Sequence, residues 1–332
     1  MSAAELSLWT RRRATRRADV QAALWQRREL VKTTSMRMTL HLLPAEDFSL
    51  YISAMKASSL ANMHRLLKRI GAGPTHVDTM IATVLEALAD GPKTQQDLLI
   101  RAKQKASRAM QTWLKYAWSA MRPAILEGLI CYGPPRGAEA TFVRVDQWLP
   151  KQKTIDGAEA RAALATRFLT AFGPARPRDF SKWSGLKSAD AQAAFDSLGG
   201  TIVEVTTEGA PGWILRRDLA KLADSRVDAA PRLLPAFDTY LLAHALKDHL
   251  IDSQFYKRVY RNQGWLSPVV LVSGRIVAVW FLEQRARTYT VDVRPFGTLD
   301  KRVRNGIAQE AQALGAFLGA PCEAELNAER KT

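Results

Sequence analysis

Cysteine is nearly absent: Cys131 and Cys322 are the only two in 332 residues, with no CxxC pair and no histidine at ligand spacing. A disulfide framework and a zinc site are both disfavoured by that count. Long apolar runs are missing as well, since no stretch approaches the roughly 18 to 20 uncharged apolar residues that span a bilayer. The opening MSAAELSLWTRRR places its arginines after a short mixed segment, the reverse of a secretory signal. No GxGxxG, P-loop, GxSxG or HExxH occurs, which removes support for dinucleotide, nucleotide, serine-hydrolase and zinc-peptidase chemistry. The five histidines are scattered, and His244 and His249 are five apart, a spacing that does not share a helix face. The expectation is a cytoplasmic protein with no membrane partner, no metal and no cofactor.

Acid is the other thing in short supply. Lys and Arg number 48 against 32 Asp and Glu, a net charge of +16. A field of that sign attracts polyanions, and Lys or Arg contacts to phosphate release counterions. Nucleic acid is therefore the expected partner. Hydrophobic residues at 47% and charged residues at 24% describe an ordinary folded protein. A chain of this length has room for two or three cores.

The order of elements repeats. Val20, Ala23 and Leu24 mark a helix within Arg16–Leu30, with Asp19 near its start. From Val31 to Pro44 the period changes to two, and Met36, Met38, Leu40 and Leu42 alternate with Arg37, Thr39 and His41, a strand with one polar face. A second set follows: a one-sided helix on Val77, Met80, Ile81, Val84, Leu85 and Leu88, the short helix TQQDLLIRAK, and a third helix on Met110, Trp113, Leu114, Ala117, Trp118 and Met121. LICY and TFVRV then flank a turn-rich GPPRGAEA. In a third set, Leu164, Phe168, Leu169 and Phe172 lead to Gly173, then DFSKWSGL, ADAQAAFDSLGG and two strands around TEGAPG. Helices followed by a hairpin are the order of a winged-helix unit. Beyond Pro231, SPVVLVSGRIVAVWF reads as a hairpin turning at Ser273 and Gly274, RARTYTVDVRPF as a third strand, and Lys301–Leu318 as a closing helix. The chain is thus expected to be α+β, with tandem winged-helix units at 1–72, 73–152 and 153–228, the first incomplete at its start, and a β-barrel-like domain at 229–332.

Between Asp97 and Glu127 there is no acid, while Arg101, Lys103, Lys105, Arg108, Lys115 and Arg122 gather there with Gln104, Ser107 and Gln111. Such a helix can lay cations on phosphates and glutamines on base edges; a solvated helical face has the same look. The run RRRATRR at 11–17 reads equally well as a frayed basic end. Arg37, Thr39 and His41 on one strand face could border a cleft, Arg37 contacting DNA while Thr39 orients water and His41 moves a proton. A simple hydrogen-bonded structural histidine is the competing reading. Asp238, Tyr260 and Arg261 could line a cleft, or Asp238 could be a buried acceptor of backbone donors. Trp265, Tyr289 and Phe296 could stack on single-stranded nucleic acid, or fill a small core.

Three stretches carry more than pattern: ALWQRRELVKTTSMRMTLHLLPAEDF (Ala23–Phe48), RFLTAFGPARPRDFSKWSGL (Arg167–Leu186), and RLLPAFDTYLL with VYRNQGWLSPVVLVSGRIVAVW. They resemble, in the same order and over nearly the whole chain, the winged-helix family that includes the AlkZ-like bacterial DNA glycosylases, which excise bulky alkylated bases and unhook azinomycin-type crosslinks. The resemblance implies three winged-helix units and a β-barrel around a cationic channel for DNA; double-stranded DNA is the expected partner, and a monomer is expected. It also implies a catalytic motif of Gln, a small or aliphatic residue, then Gln or Asp, positioning the water that attacks the sugar. In relatives this motif lies just upstream of the stretch matching Ala3–Arg11, so it has no counterpart here; Gln21 and Gln26, five apart on a later helix, do not replace it. Two expectations follow: a chain that begins at an internal Met, or a DNA-binding shell without the chemistry. Loss of a leading helix would leave Leu6, Leu8 and Trp9 uncovered.

Overall fold

A computed structural model describes residues 2–12, 14–115, 120–207 and 209–327, so Arg13, Ala117 and Trp118 of the sequence reading lie outside the described residues. The chain mixes α and β throughout. Its contacts separate two compact units, Ala22–Arg216 and Met1–Gln21 with Arg217–Thr332.

In the unit Ala22–Arg216, strands Leu30–Thr34 and Leu40–Pro44 pair antiparallel, with Thr33 opposite His41. The period-2 reading across 36–42 fails at its beginning. Met36–Met38 is a tight 3-10 turn in which Arg37 (φ 53°) and Met38 (φ 60°) adopt left-handed backbone, and Ser35 N donates to Thr39 O at 3.1 Å to close it. The strand begins only at Leu40, so Arg37 does not share a strand face with Thr39 and His41. A reversal between two short strands must fall somewhere, and alternation alone cannot show where.

The 21-residue helix Phe48–Lys68 buries Phe48, Ile52, Met55, Met63 and Leu67. Helix Pro74–Ala87 follows, with proline in its first turn and Val77, Met80 and Val84 buried. Thr94 caps helix Gln95–Lys105 reciprocally: its hydroxyl accepts from Asp97 N and the Asp97 carboxylate accepts from Thr94 N, both at 3.1 Å. After helices Arg108–Trp113 and Arg122–Leu126 comes the hairpin Ile130–Arg136 with Glu139–Arg144, and the short strand Lys93–Thr94 pairs with its second arm. Lys32 stands opposite Tyr132, which joins both hairpins in one five-stranded sheet.

The same order recurs downstream. Helix Gly157–Phe172, a single bridge of Ala175 with Trp213, helices Pro177–Ser184 and Ser188–Asp196, then the hairpin Ile202–Thr207 with Ala210–Leu215 again place a short extended piece against the hairpin's last arm. Phe168, Phe180, Trp183 and Phe195 form its aromatic core, with ring centroids 5.2 to 6.2 Å apart.

The other unit holds a five-stranded sheet in the order Cys322–Leu326, Thr288–Pro295, Arg275–Arg285, Val269–Val272 and Arg232–Leu234. Only the first pair is parallel, reached through helix Lys301–Leu318. The sheet is open, and this corrects the barrel-like expectation. Alternation in the strands reports which face is buried, and here the helix buries it with Ile307, Ala311 and Leu314 instead of the sheet curling on itself. Close approach depends on Gly306, where a Cβ would fall 2.6 Å from Pro231 Cδ. Helix Ala3–Arg11 packs in this unit. Leu6 and Trp9, expected to stand uncovered, are buried and Leu8 is partly buried; the helix packs on strand Arg232–Leu234, and the Trp9 ring lies 6.2 Å from Phe317.

Candidate nucleic-acid interface

Asp238 is completely buried, and its carboxylate is saturated. It accepts from Ser7 Oγ at 2.9 Å, from both terminal nitrogens of Arg11 at 2.8 Å, and from Tyr240 N at 2.9 Å as the cap of helix Thr239–Leu242. The hydrogen bond to Asp238 in turn raises the Arg11 pKa. Tyr260 is occupied too, its hydroxyl donating to Leu241 O at 2.9 Å. Of the three groups read as cleft liners, Arg261 is exposed, while Asp238 and Tyr260 therefore have structural roles. Gln21 has the same character: its amide donates to Glu5, a buried carboxylate that also accepts from Ser2 N at 2.8 Å.

The turn at Arg37 is where unsatisfied polar groups collect. Helix Pro177–Ser184 ends on Gly185 in left-handed backbone (φ 84°), and a Cβ there would fall 3.0 Å from both N and Cα of Arg37. Glycine is required twice, by its own dihedral and by the backbone pressed against it. On these two segments Thr33 Oγ1, Ser35 Oγ, Arg37 Nη1 and Trp183 Nε1 are buried without a protein partner. All four can donate, and a buried donor left unpaired costs about 1–3 kcal/mol, so the junction offers donors that a water or an anion can satisfy.

His41 lies opposite Thr33, on the same side of the sheet. Its Nδ1 is 2.9 Å from Thr39 O, and since a carbonyl can only accept, Nδ1–H donates to it and the neutral ring keeps its Nε2 lone pair as an acceptor. Thr39 Oγ1 donates to Met36 O at 3.1 Å. Burial, opposed by the Thr39 carbonyl and assisted by the charge of Arg37, pushes the His41 pKa down from 6.5 to about 4. Burial also lowers the Arg37 pKa. The turn thus gathers Arg37, Thr39 and His41, although the predicted strand face does not. Because the folded His41 pKa lies below its unfolded value, its contribution to stability is full above about pH 6.5 and is lost as pH falls toward about 4. Unfolding midpoints from pH 7 to pH 4 are expected to fall less steeply in His41→Gln, which cannot titrate there; an unchanged pH profile would refute the buried neutral imidazole.

Arg101, Lys103, Lys105, Arg108, Gln111 and Lys115 are all exposed. They are not equally free to meet phosphate. Lys105 Nζ lies 2.6 Å from Glu86 and lowers that carboxylate's pKa, in an open groove of about 790 Å³ that Asp90 and Asp97 also line. The acid missing from the sequence around these cations is supplied by the preceding helix, which a scan along the chain cannot see. Gln111 Nε2 donates to Lys103 O at 3.0 Å, closing the end of helix Gln95–Lys105, and Ser107 Oγ accepts from Met110 N at 3.4 Å. These two have capping roles. Arg122 is half-buried, and burial lowers its pKa.

His244 and His249 do meet, their rings edge to face at 5.0 Å, because a turn and not a helix links them. No group of three metal-ligating side chains occurs among the described residues, and no described helix is long and apolar enough to cross a membrane.

Repeated helix-and-hairpin units carrying exposed cations and a donor-lined turn define a protein suited to polyanionic ligands. The chain belongs to the AlkZ-like DNA glycosylase family, whose family model matches residues 1–317. A curated relative, the interstrand DNA cross-link repair glycosylase of Streptomyces sahachiroi, is 29% identical over 318 residues, covering 93% of this chain and 84% of the relative. The solved structure of Streptomyces sahachiroi DNA glycosylase AlkZ has the same fold, with a TM-score of 0.82 at 26% identity, covering 98% of this chain and 89% of that one.

Proposed function

We propose that this chain binds double-stranded DNA as a monomer in the cytoplasm and acts in repair of bulky alkylated or crosslinked DNA, hydrolysing the N-glycosidic bond of the damaged nucleotide. The observation that carries this reading is the match to one DNA glycosylase family along residues 1–317. In this reading 73–152 and 153–228 are winged-helix units, supported by their shared order of helix, short strand on the hairpin's last arm, helices and hairpin, and 1–72 supplies a third. Arg101, Lys103, Arg108 and Lys115 contact phosphates, and Arg37 does so at the turn.

An N-alkylated cationic base is already a good leaving group, so the protein needs mainly to orient water and bear the oxocarbenium-like charge. The Nε2 lone pair of neutral His41 accepts a hydrogen bond from that water, with Thr39 beside it. One observation favours a second reading, a DNA-binding protein without chemistry: a histidine titrating near 4 is a weak base.

Release of free base from duplex DNA carrying an N7-alkylated guanine separates the two. The glycosylase reading expects release, slowed roughly 100-fold in His41→Ala. Tight, salt-sensitive binding with no release would transfer the assignment to the second reading.

A further inference from the structure

Of the three aromatic residues that the sequence offers as stacking platforms, the structure leaves one open. Phe296 is stacked on Phe255, with centroids 4.6 Å apart, and Arg258 lies 4.4 Å from its ring; Tyr289 is paired in the sheet and half-buried. Trp265 is 62% exposed and faces Phe237, itself 43% exposed, with ring centroids 5.7 Å apart and planes at 54°.

Left-handed backbone lies at Phe237 itself and in the loop leading to Trp265, whose own backbone is extended (φ −67°). Phe237 takes φ 58°, as does Gln263 two residues before Trp265. Left-handed backbone is unfavourable for residues of this size, and such strain persists where the surroundings enforce it, most often at functional sites. The enforcement is visible: next to Phe237, Asp238 is locked by Ser7, Arg11 and Tyr240 N. The loop under Trp265 is pinned by Arg261 N to Trp265 O at 2.8 Å and by the bridge of Tyr260 with Leu266. Lys257 and Arg261, both exposed, stand on the segments that carry the platform.

We propose that Trp265, backed by Phe237, is a stacking platform for an unpaired DNA base whose flanking phosphates meet Lys257 and Arg261, an inference that rests on the duplex-DNA reading above. A base cannot slide between the two rings, since a sandwich needs roughly 7 Å, twice the ~3.4 Å stacking interval. It stacks on the open face of the indole. Bases in intact duplex already have both faces covered, so only a base at a gap or out of the stack gains from the platform. The neighbouring cations favour a nucleotide over an uncharged ring ligand.

The test measures binding of the full chain, by fluorescence anisotropy, to a paired duplex, to the same duplex with a three-nucleotide single-stranded gap, and to a gap of abasic nucleotides. The parent should prefer the base-bearing gap to the abasic gap by roughly tenfold. Trp265→Ala should lose that preference while binding paired duplex like the parent, and Trp265→Phe should keep most of it. A parent that binds paired duplex but does not distinguish the gaps, or a Trp265→Ala variant that still does, overturns the platform alone. A parent that binds no duplex overturns the DNA-binding reading and the platform with it.

Discussion

Arg11→Ala is expected to lower the stability of the unit containing Asp238 by roughly 3–5 kcal/mol, the usual consequence of removing one partner from a buried ion pair. The asymmetry of the pair makes the effect large. Arg11 is 44% exposed and is readily solvated alone, whereas Asp238 is fully buried and would retain only Ser7 and a backbone amide. Transferring an incompletely paired carboxylate from water is the cost, more than the loss of an attraction. Asp238→Asn in the Arg11→Ala background should recover part of the loss, because the amide oxygen can still accept from Tyr240 N without carrying charge. Urea unfolding of the four proteins in this cycle measures the coupling. A loss below about 0.5 kcal/mol in Arg11→Ala would mean that the pair contributes no more than an exposed one.

The second large effect concerns salt. If Arg101, Lys103, Arg108 and Lys115 each meet a phosphate, replacing all four by alanine should reduce the slope of log affinity against log salt by about 3.6, at roughly 0.9 per contact. Between about 50 and 200 mM salt the parent would then lose roughly 100-fold more affinity than the variant. Lys105 provides an internal control. Its ammonium is paired with Glu86, so Lys105→Ala should alter the slope less than any of the other four single substitutions. An unchanged slope in the quadruple variant would move the DNA-contacting surface away from these helices.

Much of this architecture was legible in the sequence because burial imposes periodicity. Val77, Met80 and Val84 marked their helix, and Ile307, Ala311 and Leu314 theirs. The hairpin turn at Ser273 and Gly274 was readable since both positions take positive φ, at 49° and 77°. Helix Phe48–Lys68 is not marked by its periodicity: its apolar residues are diluted by Ser, Ala and Lys, although Pro44 precedes it and Gly71, Gly73 and Pro74 follow it. Whether the C-terminal sheet closes was not readable, because a helix and a curled sheet bury the same alternating face.

The candidate site was less legible than the fold. Residue types at 37, 39 and 41 drew notice for a strand geometry that does not exist, and it is the left-handed turn against Gly185 that assembles them. Two Met residues in the turn supplied apolar periodicity, while neither Asn nor Gly signalled a reversal. The unpaired Thr33, Ser35 and Trp183 drew no notice, since their lack of partners depends on contacts between distant segments. Exposed Trp265 carried no sequence signature separating a platform from a core residue. Gln111, read as a base reader, caps a helix through a contact eight residues away.

The measurement that bears most directly on the central claim is unhooking of an interstrand crosslink by the full chain. A duplex crosslinked through N7-alkylated guanines is incubated with the protein and resolved on a denaturing gel. The account predicts conversion to separated strands, with an abasic site where the glycosidic bond was hydrolysed and slower conversion in His41→Ala. Persistence of the crosslinked species under conditions where the protein is bound to it would contradict the glycosylase assignment.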